Sequence, residues 1–244
     1  MKKNIVLLSL SAILALSANS DTFGLEAGAA YWGAETTGDF NYKGSNTDLE
    51  KDLGYGDKKN TNFIWASFEH PIPFIPNIKI QHTKVDESQS QNTNVVFNEL
   101  TYAGTVNSNI KLNQTDFIAY YEILDNWLNL DLGVNAKYLD ASVSMNSIGQ
   151  ISSSKSVEEV IPMLYAKVKF DLPFNGFSLE TDLSYITYDS SEFYDFKGGL
   201  LYETAFGLGA TAGYRAEKIK LDDISDLTSD INIKGFYAGL YYHF

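Results

Sequence analysis

The chain contains no cysteine among its 244 residues. Disulfide stapling, thiol catalysis and cysteine-ligated zinc are therefore excluded, and packing alone must hold the fold together. Histidine is nearly as scarce: His70, His82 and His243 lie far apart in the sequence and belong to no recognisable catalytic or metal motif. Basic residues are few, 18 Lys and Arg against 31 Asp and Glu, for a formal charge of −13. Nucleic acid is thereby removed as a partner, because phosphate binding calls for a basic face. Beyond the first 16 residues no apolar run approaches the roughly 20 residues of a membrane-spanning helix, and helical periodicity is hard to find.

What is present begins with Met1-Lys2-Lys3, an apolar stretch from Ile5 to Leu16, and Ser17-Ala18-Asn19-Ser20. A positive start, a short hydrophobic centre and small residues form the pattern of a cleaved export signal. Residues 1–20 are expected to be removed, so that the mature chain, 21–244, starts at Asp21. Losing Lys2 and Lys3 takes its formal charge from −13 to −15.

After the signal, period-two alternation recurs in segment after segment. Leu128, Leu130, Leu132, Val134, Ala136 and Tyr138 share one face, and Asn129, Asp131, Gly133, Asn135 and Lys137 share the other. Phe177 to Tyr185 and Gly207 to Arg215 repeat the pattern. A soluble sandwich alternates in the same way, so three further features decide. The polar face repeatedly carries ionisable groups: Glu26, Glu69, Asp116, Glu122, Asp131, Lys137, Glu180, Asp182, Glu203 and Arg215, with Lys79, Lys167, Lys169 and Lys197 as further opposite-sign partners. Aromatics crowd the strand ends of the apolar face, as Tyr31, Phe68, Tyr121, Tyr138, Phe170, Tyr202 and Tyr214 do, resembling the interfacial girdles of membrane barrels. Finally, Phe236, Ala238, Leu240, Tyr242 and the terminal Phe244 fall on one face. Phe236, Leu240, Tyr242 and Phe244 are the expected C-terminal signal for the outer-membrane barrel-insertion machinery.

The expected fold is all-β: a single transmembrane antiparallel up-and-down barrel. Ten strands are read at 22–32, 61–69, 77–85, 114–123, 127–140, 157–170, 177–188, 193–203, 207–221 and 230–244, with eight or twelve as alternatives. Short periplasmic turns fall at 70–76, 124–126, 171–176 and 204–206, and long polar extracellular loops at 33–60, 86–113 and 141–156. Segment 94–111 keeps some alternation, so it extends as a hairpin above the membrane or adds two strands.

Several segments carry a family resemblance: 65–71 (WASFEHP) with Pro76-Asn77, 120–127 (YYEILDNW), Gly198-Gly199, Gly213-Tyr214-Arg215, Leu221-Asp222-Asp223, and Tyr237-Ala238-Gly239-Leu240 followed by His243-Phe244. In these the chain resembles an uncharacterised family of small outer-membrane β-barrels with a Gly-Gly signature, distantly similar to barrels of the OmpW type. The resemblance implies fold and location and brings no catalytic residues with it.

The remaining motifs favour plain readings. Gly207-Leu208-Gly209-Ala210-Thr211-Ala212 matches part of a dinucleotide fingerprint but lies within a strand, where that motif cannot work. Its glycines make room in the lumen for bulky residues such as Tyr241. Asp222, Asp223, Asp226 and Asp230 read as a solvated turn. The lumen charges form either an ion-paired plug or a narrow selective pore, since buried charges must be paired. No catalytic residue, cofactor or metal is implied. The expected role is non-enzymatic, structural or a narrow passive route for small solutes, with surface recognition or adhesion through the loops as the alternative. A hydrolase or acyltransferase using His82 is the remote one. Outer-membrane lipids and lipopolysaccharide are the expected surroundings.

Overall fold

The computed structural model describes residues 23–72, 74–224 and 226–244. The expected export signal, 1–20, and the mature start at Asp21 lie outside the described residues. Ten long strands form the wall: β1 (Gly24–Tyr42), β3 (Lys59–Glu69), β4 (Asn77–Phe97), β5 (Leu100–Leu124), β6 (Leu128–Ser147), β7 (Ser153–Asp171), β8 (Phe177–Tyr188), β9 (Ser191–Glu203), β10 (Leu208–Ile224) and β11 (Leu227–His243). A two-residue strand, β2 (Thr47–Asp48), pairs with β1. Each wall strand is antiparallel to its neighbour in sequence, and β11 pairs with β1 along most of its length, from Glu26↔His243 to Tyr42↔Leu227. Closure leaves no sheet edge, which any lipid-embedded sheet requires.

Around the lower part of the wall the outward side chains are apolar and uncovered. Ile64, Ile78, Phe117, Leu132, Leu164, Leu183, Leu200 and Leu240 are all exposed, one on almost every strand. A continuous apolar belt of this kind is stable only against hydrocarbon. On β6 it runs from Leu128 to Tyr138, close to the roughly 9–11 residues a tilted strand needs to cross a bilayer. The short turns lie at one end and the tall hairpins at the other, so the ends are periplasmic and extracellular respectively.

Above the belt the strands continue and their polarity inverts. On β4 the outward row changes from Ile78 and Ile80 to Lys84, Asp86 and Ser88, while the inward row changes from Lys79, Gln81 and Thr83 to Val85, Val95 and Phe97. On β6 Tyr138 gives way to Asp140 outside, and Lys137 to Leu139 inside. The same crossover separates Asp116 from Leu112 on β5, Glu217 from Ile219 on β10, and Tyr237 from Ile233 on β11. The upper part is thus an ordinary water-soluble barrel with an apolar core, built on the same strands as the membrane barrel below. Each buried Leu or Ile there stabilises it by roughly 1.5–3 kcal/mol. The expected long loops at 86–113 and 141–156 are therefore mostly strand. β4 and β5 run without a break to Phe97↔Leu100, joined by Asn98-Glu99, both at positive φ, the geometry of a tight two-residue hairpin turn.

The β1–β3 connection, by contrast, does leave the wall. Leu49, Leu53 and Tyr55 are buried in the same apolar cluster as Phe40, Phe97 and Tyr102, so this segment caps the extracellular storey. The Asp48 carboxylate holds its first turn, accepting the backbone N–H of Glu50 at 3.0 Å and of Lys51 at 2.9 Å.

Candidate functional site: a closed lumen above a periplasmic vestibule

Strand register assembles the lumen charges into a ladder. Glu122 faces Asp131, Asp131 faces Lys167, Lys167 faces Asp182, Asp182 faces Lys197, and Lys197 faces Arg215, across β5 to β10. Cross-strand neighbours on one face sit within side-chain reach, and the contacts follow. Lys167 Nζ lies 3.1 Å from Asp131 Oδ2. Asp182 Oδ2 receives both Lys79 at 2.9 Å and Lys197 at 2.7 Å, and Tyr165 donates to Asp182 Oδ1 at 2.9 Å.

Higher in the lumen is the tightest part of the network. Arg215, fully buried at 0 % exposure, donates through Nε at 3.1 Å and Nη2 at 2.8 Å to the two oxygens of Asp195 and through Nη1 to Thr83 at 2.9 Å. It also pairs with Glu217. Its guanidinium stacks near Trp32 and Phe63, 4.7 and 4.8 Å from their ring centres. Lys137 reaches Asp116 at 3.0 Å, Asp195 at 3.2 Å and the Gln114 carbonyl at 2.9 Å. Asn135 bridges Asp116 and Ser184. Formal charge balances in this plug: Lys79, Lys137, Lys167, Lys197 and Arg215 meet Asp116, Asp131, Asp182, Asp195 and Glu217. Immediately above it lies the apolar core of the outer storey.

Of the expected lumen residues, Lys79, Asp116, Asp131, Lys137, Lys167, Asp182, Lys197 and Arg215 are thus brought together. Glu26, Glu69, Glu122, Glu180 and Glu203 are not. They line a chamber of about 870 Å³ below the plug, open at the periplasmic end. Trp65 donates its indole N–H to Glu26 at 2.7 Å, Tyr120 its hydroxyl to Glu69 at 2.7 Å, and His243 lies 3.4 Å from Glu203. Glycines do make room for rings. A Cβ on Gly209 would sit 2.1 Å from the Tyr241 ring, and one on Gly28 2.2 Å from the Trp65 ring, so both rings lie flat against bare backbone.

Asp195 and Glu217 escaped the sequence reading. Their signal was period two, since Asp195 stands two before Lys197 and Glu217 two after Arg215. The four expected C-terminal residues, Phe236, Leu240, Tyr242 and Phe244, lie at the lipid-facing positions of β11 and its end, Phe236 and Leu240 well exposed and the Tyr242 and Phe244 rings 4.5 Å apart. His82 points outward and bonds Thr115 at 3.0 Å. No acid joins it and no metal-binding group forms among the described residues. The four acids expected in one solvated turn do not share one: Asp222 and Asp223 lie at the end of β10 and Asp230 within β11, while Asp226 pairs with Lys43 at 3.3 Å and Asp230 with Lys218 at 3.6 Å.

The class is set by this geometry: a closed, antiparallel, ten-stranded transmembrane β-barrel. No protein-family profile and no curated protein matches the chain, so its likeness to the Gly-Gly family rests on the sequence segments alone. Among solved structures it is similar to Ail, the attachment invasion locus protein of Yersinia pestis, at 12 % identity and TM-score 0.44 over 91 % of this chain and 99 % of that one. The translocator domain of the autotransporter NalP from Neisseria meningitidis matches at 13 % identity and TM-score 0.44 over 100 % and 96 %. Neisserial surface protein A matches at 13 % and TM-score 0.31 over 90 % and 96 %. Likenesses this distant carry no argument about activity.

Proposed function

We propose that this chain is an outer-membrane protein of a Gram-negative bacterium whose barrel is a closed, non-enzymatic scaffold, and that its function is exercised by the extracellular storey as a recognition surface. One observation carries the reading: the interior is blocked twice in succession, by a charge-balanced ion-pair network around Arg215 and then by an apolar core. A passive solute route would need a continuous wet path, and apolar packing at the outer end offers none. What the barrel presents to the outside is tall and strand-paired almost to its tips. At the tip of the β6–β7 hairpin, Ile148 and Ile151 are exposed at 96 % and 77 %, while Tyr102 donates to the Ile151 carbonyl at 2.8 Å and fixes the turn.

Conductance of the mature protein in a planar bilayer tests this. Insertion without discrete openings is the expected result. Stable openings whose ion selectivity shifts in Arg215→Glu would overturn it and restore the narrow-channel function.

A further inference from the structure

Once the plug's ten balanced charges are set aside, the periplasmic chamber keeps Glu26, Glu69, Glu122, Asp125, Glu180 and Glu203 against Lys169 and two histidines. Its volume of about 870 Å³ lies within the roughly 300–1,000 Å³ of small-molecule sites. A concave chamber lined by one sign of charge concentrates the opposite ion. Two of these carboxylates, Glu122 and Glu180, make no hydrogen bond or ion pair among the described residues.

The wall selects further. Trp65 and Tyr241 lie flat on Gly28 and Gly209 and border the chamber as largely buried side chains. The chamber already shows what such rings accept: Lys197 Nζ sits 5.6 Å from the Trp65 ring centre, and Lys167 Nζ 5.8 Å from that of Tyr120. Ammonium groups over aromatic faces are a favourable contact. An inorganic cation is the poorer fit, because no three acidic or histidine groups converge on a metal-sized point among the described residues.

We infer that the periplasmic vestibule is a binding site for an organic polycation, an alkyl amine carrying two or more ammonium groups. Its ammoniums pair with the dispersed carboxylates of the chamber wall. The plug forms the floor, so the ligand enters and leaves on the periplasmic side. This site is separate from the extracellular surface, and its test does not depend on that function.

The experiment is calorimetric titration of the full mature protein in lipid nanodiscs, which leave both ends open, with spermidine, calcium chloride and maltose as probes. Spermidine is expected to bind saturably, and to bind about tenfold more weakly in the double variant Glu122→Gln/Glu180→Gln. Glu180 acts on Lys167 and Lys197 at longer range and faces Lys169 across the strands, so Glu122→Gln alone, at an exposed position, is titrated beside the double variant and is expected to weaken binding in the same direction. Trp65→Leu is expected to weaken binding as well, whereas Asp222→Asn/Asp223→Asn, at the opposite end, leaves it unchanged. Absence of saturable spermidine binding, equal binding of calcium or maltose, or insensitivity to the vestibule variants would each overturn the assignment.

Discussion

The lower and upper halves of this barrel share their strands and oppose each other in polarity. Below the crossover, apolar residues face lipid and ten charges plug the lumen above an open chamber; above it, Ser, Asn and Asp face water, and aliphatic and aromatic side chains fill most of the lumen around a buried Glu87 that accepts from Thr36. The backbone is indifferent to this change, because closure satisfies its hydrogen bonds at every level. What differs is the solvent outside, and each storey places on its outer wall whatever that solvent tolerates. The interior follows by alternation: a strand that turns its apolar row toward lipid has only its polar row left for the lumen, and those polar groups must then pair among themselves.

The comparison can be broken hardest at the plug. Arg215→Met removes the partner of Asp195 and Glu217 and leaves three carboxylates to Lys137. The expected loss is about 3–5 kcal/mol, read as a lower urea midpoint for the protein refolded in micelles. Next is a contrast along β6. Leu132→Arg, on the lipid face, is expected to cost about 2–4 kcal/mol at the bilayer midplane, whereas Ser144→Arg, outward in the upper storey, stays within about 0.5 kcal/mol; folding into vesicles measures both. Asn135, on the lumen face, is not a tolerant control for this pair, because it is buried between Asp116 and Ser184. A smaller change sharpens the claim of a packed upper core. Ile233→Val, at a position with 0 % exposure, is expected to cost about 0.5–1.5 kcal/mol in the same urea titration.

The smallest effect belongs to the capping segment. The Lys51 ammonium, 2.7 Å from Asp48, holds that carboxyl below its usual range. A lowered folded value means that the contact stabilises above the ordinary carboxylate range and is lost as pH falls through the lowered value. Hydrogen exchange at Leu49 to Tyr55, corrected for intrinsic rate, should therefore be protected at about pH 5, and Asp48→Ala should remove that protection without changing the global midpoint.

The membrane storey was legible in the sequence because Leu128 to Tyr138 and Phe177 to Tyr185 alternate cleanly and each apolar row ends in an aromatic. Most of the plug was legible for the same reason, since the row opposite Leu132 must contain Asp131 and Lys137. The upper storey was legible only in part: the alternation of 94–111 let it be read as a hairpin above the membrane, which β4 and β5 form. The outward residues Ser88, Ser90, Asn92 and Asn94 on β4 are those of a loop, and they hid that Val95, Phe97, Tyr102, Val106 and Ile110 fill a core. Composition reported the solvent, and only period reported the strand. The vestibule was hidden for another reason: Glu26 and Asp182 look alike in the sequence, and only the register shows that Asp182 is paired in the plug while Glu26 faces the open chamber.

The inversion itself is tested most directly on one strand. The native chain has no cysteine, so Leu132→Cys, Val134→Cys, Ser142→Cys, Val143→Cys and Ser144→Cys can each be probed on intact cells with a membrane-impermeant maleimide. The account predicts labelling at 142 and 144 alone, with 132 and 134 shielded by lipid and 143 by the upper core. Labelling at 132, or protection at both 142 and 144, would contradict it.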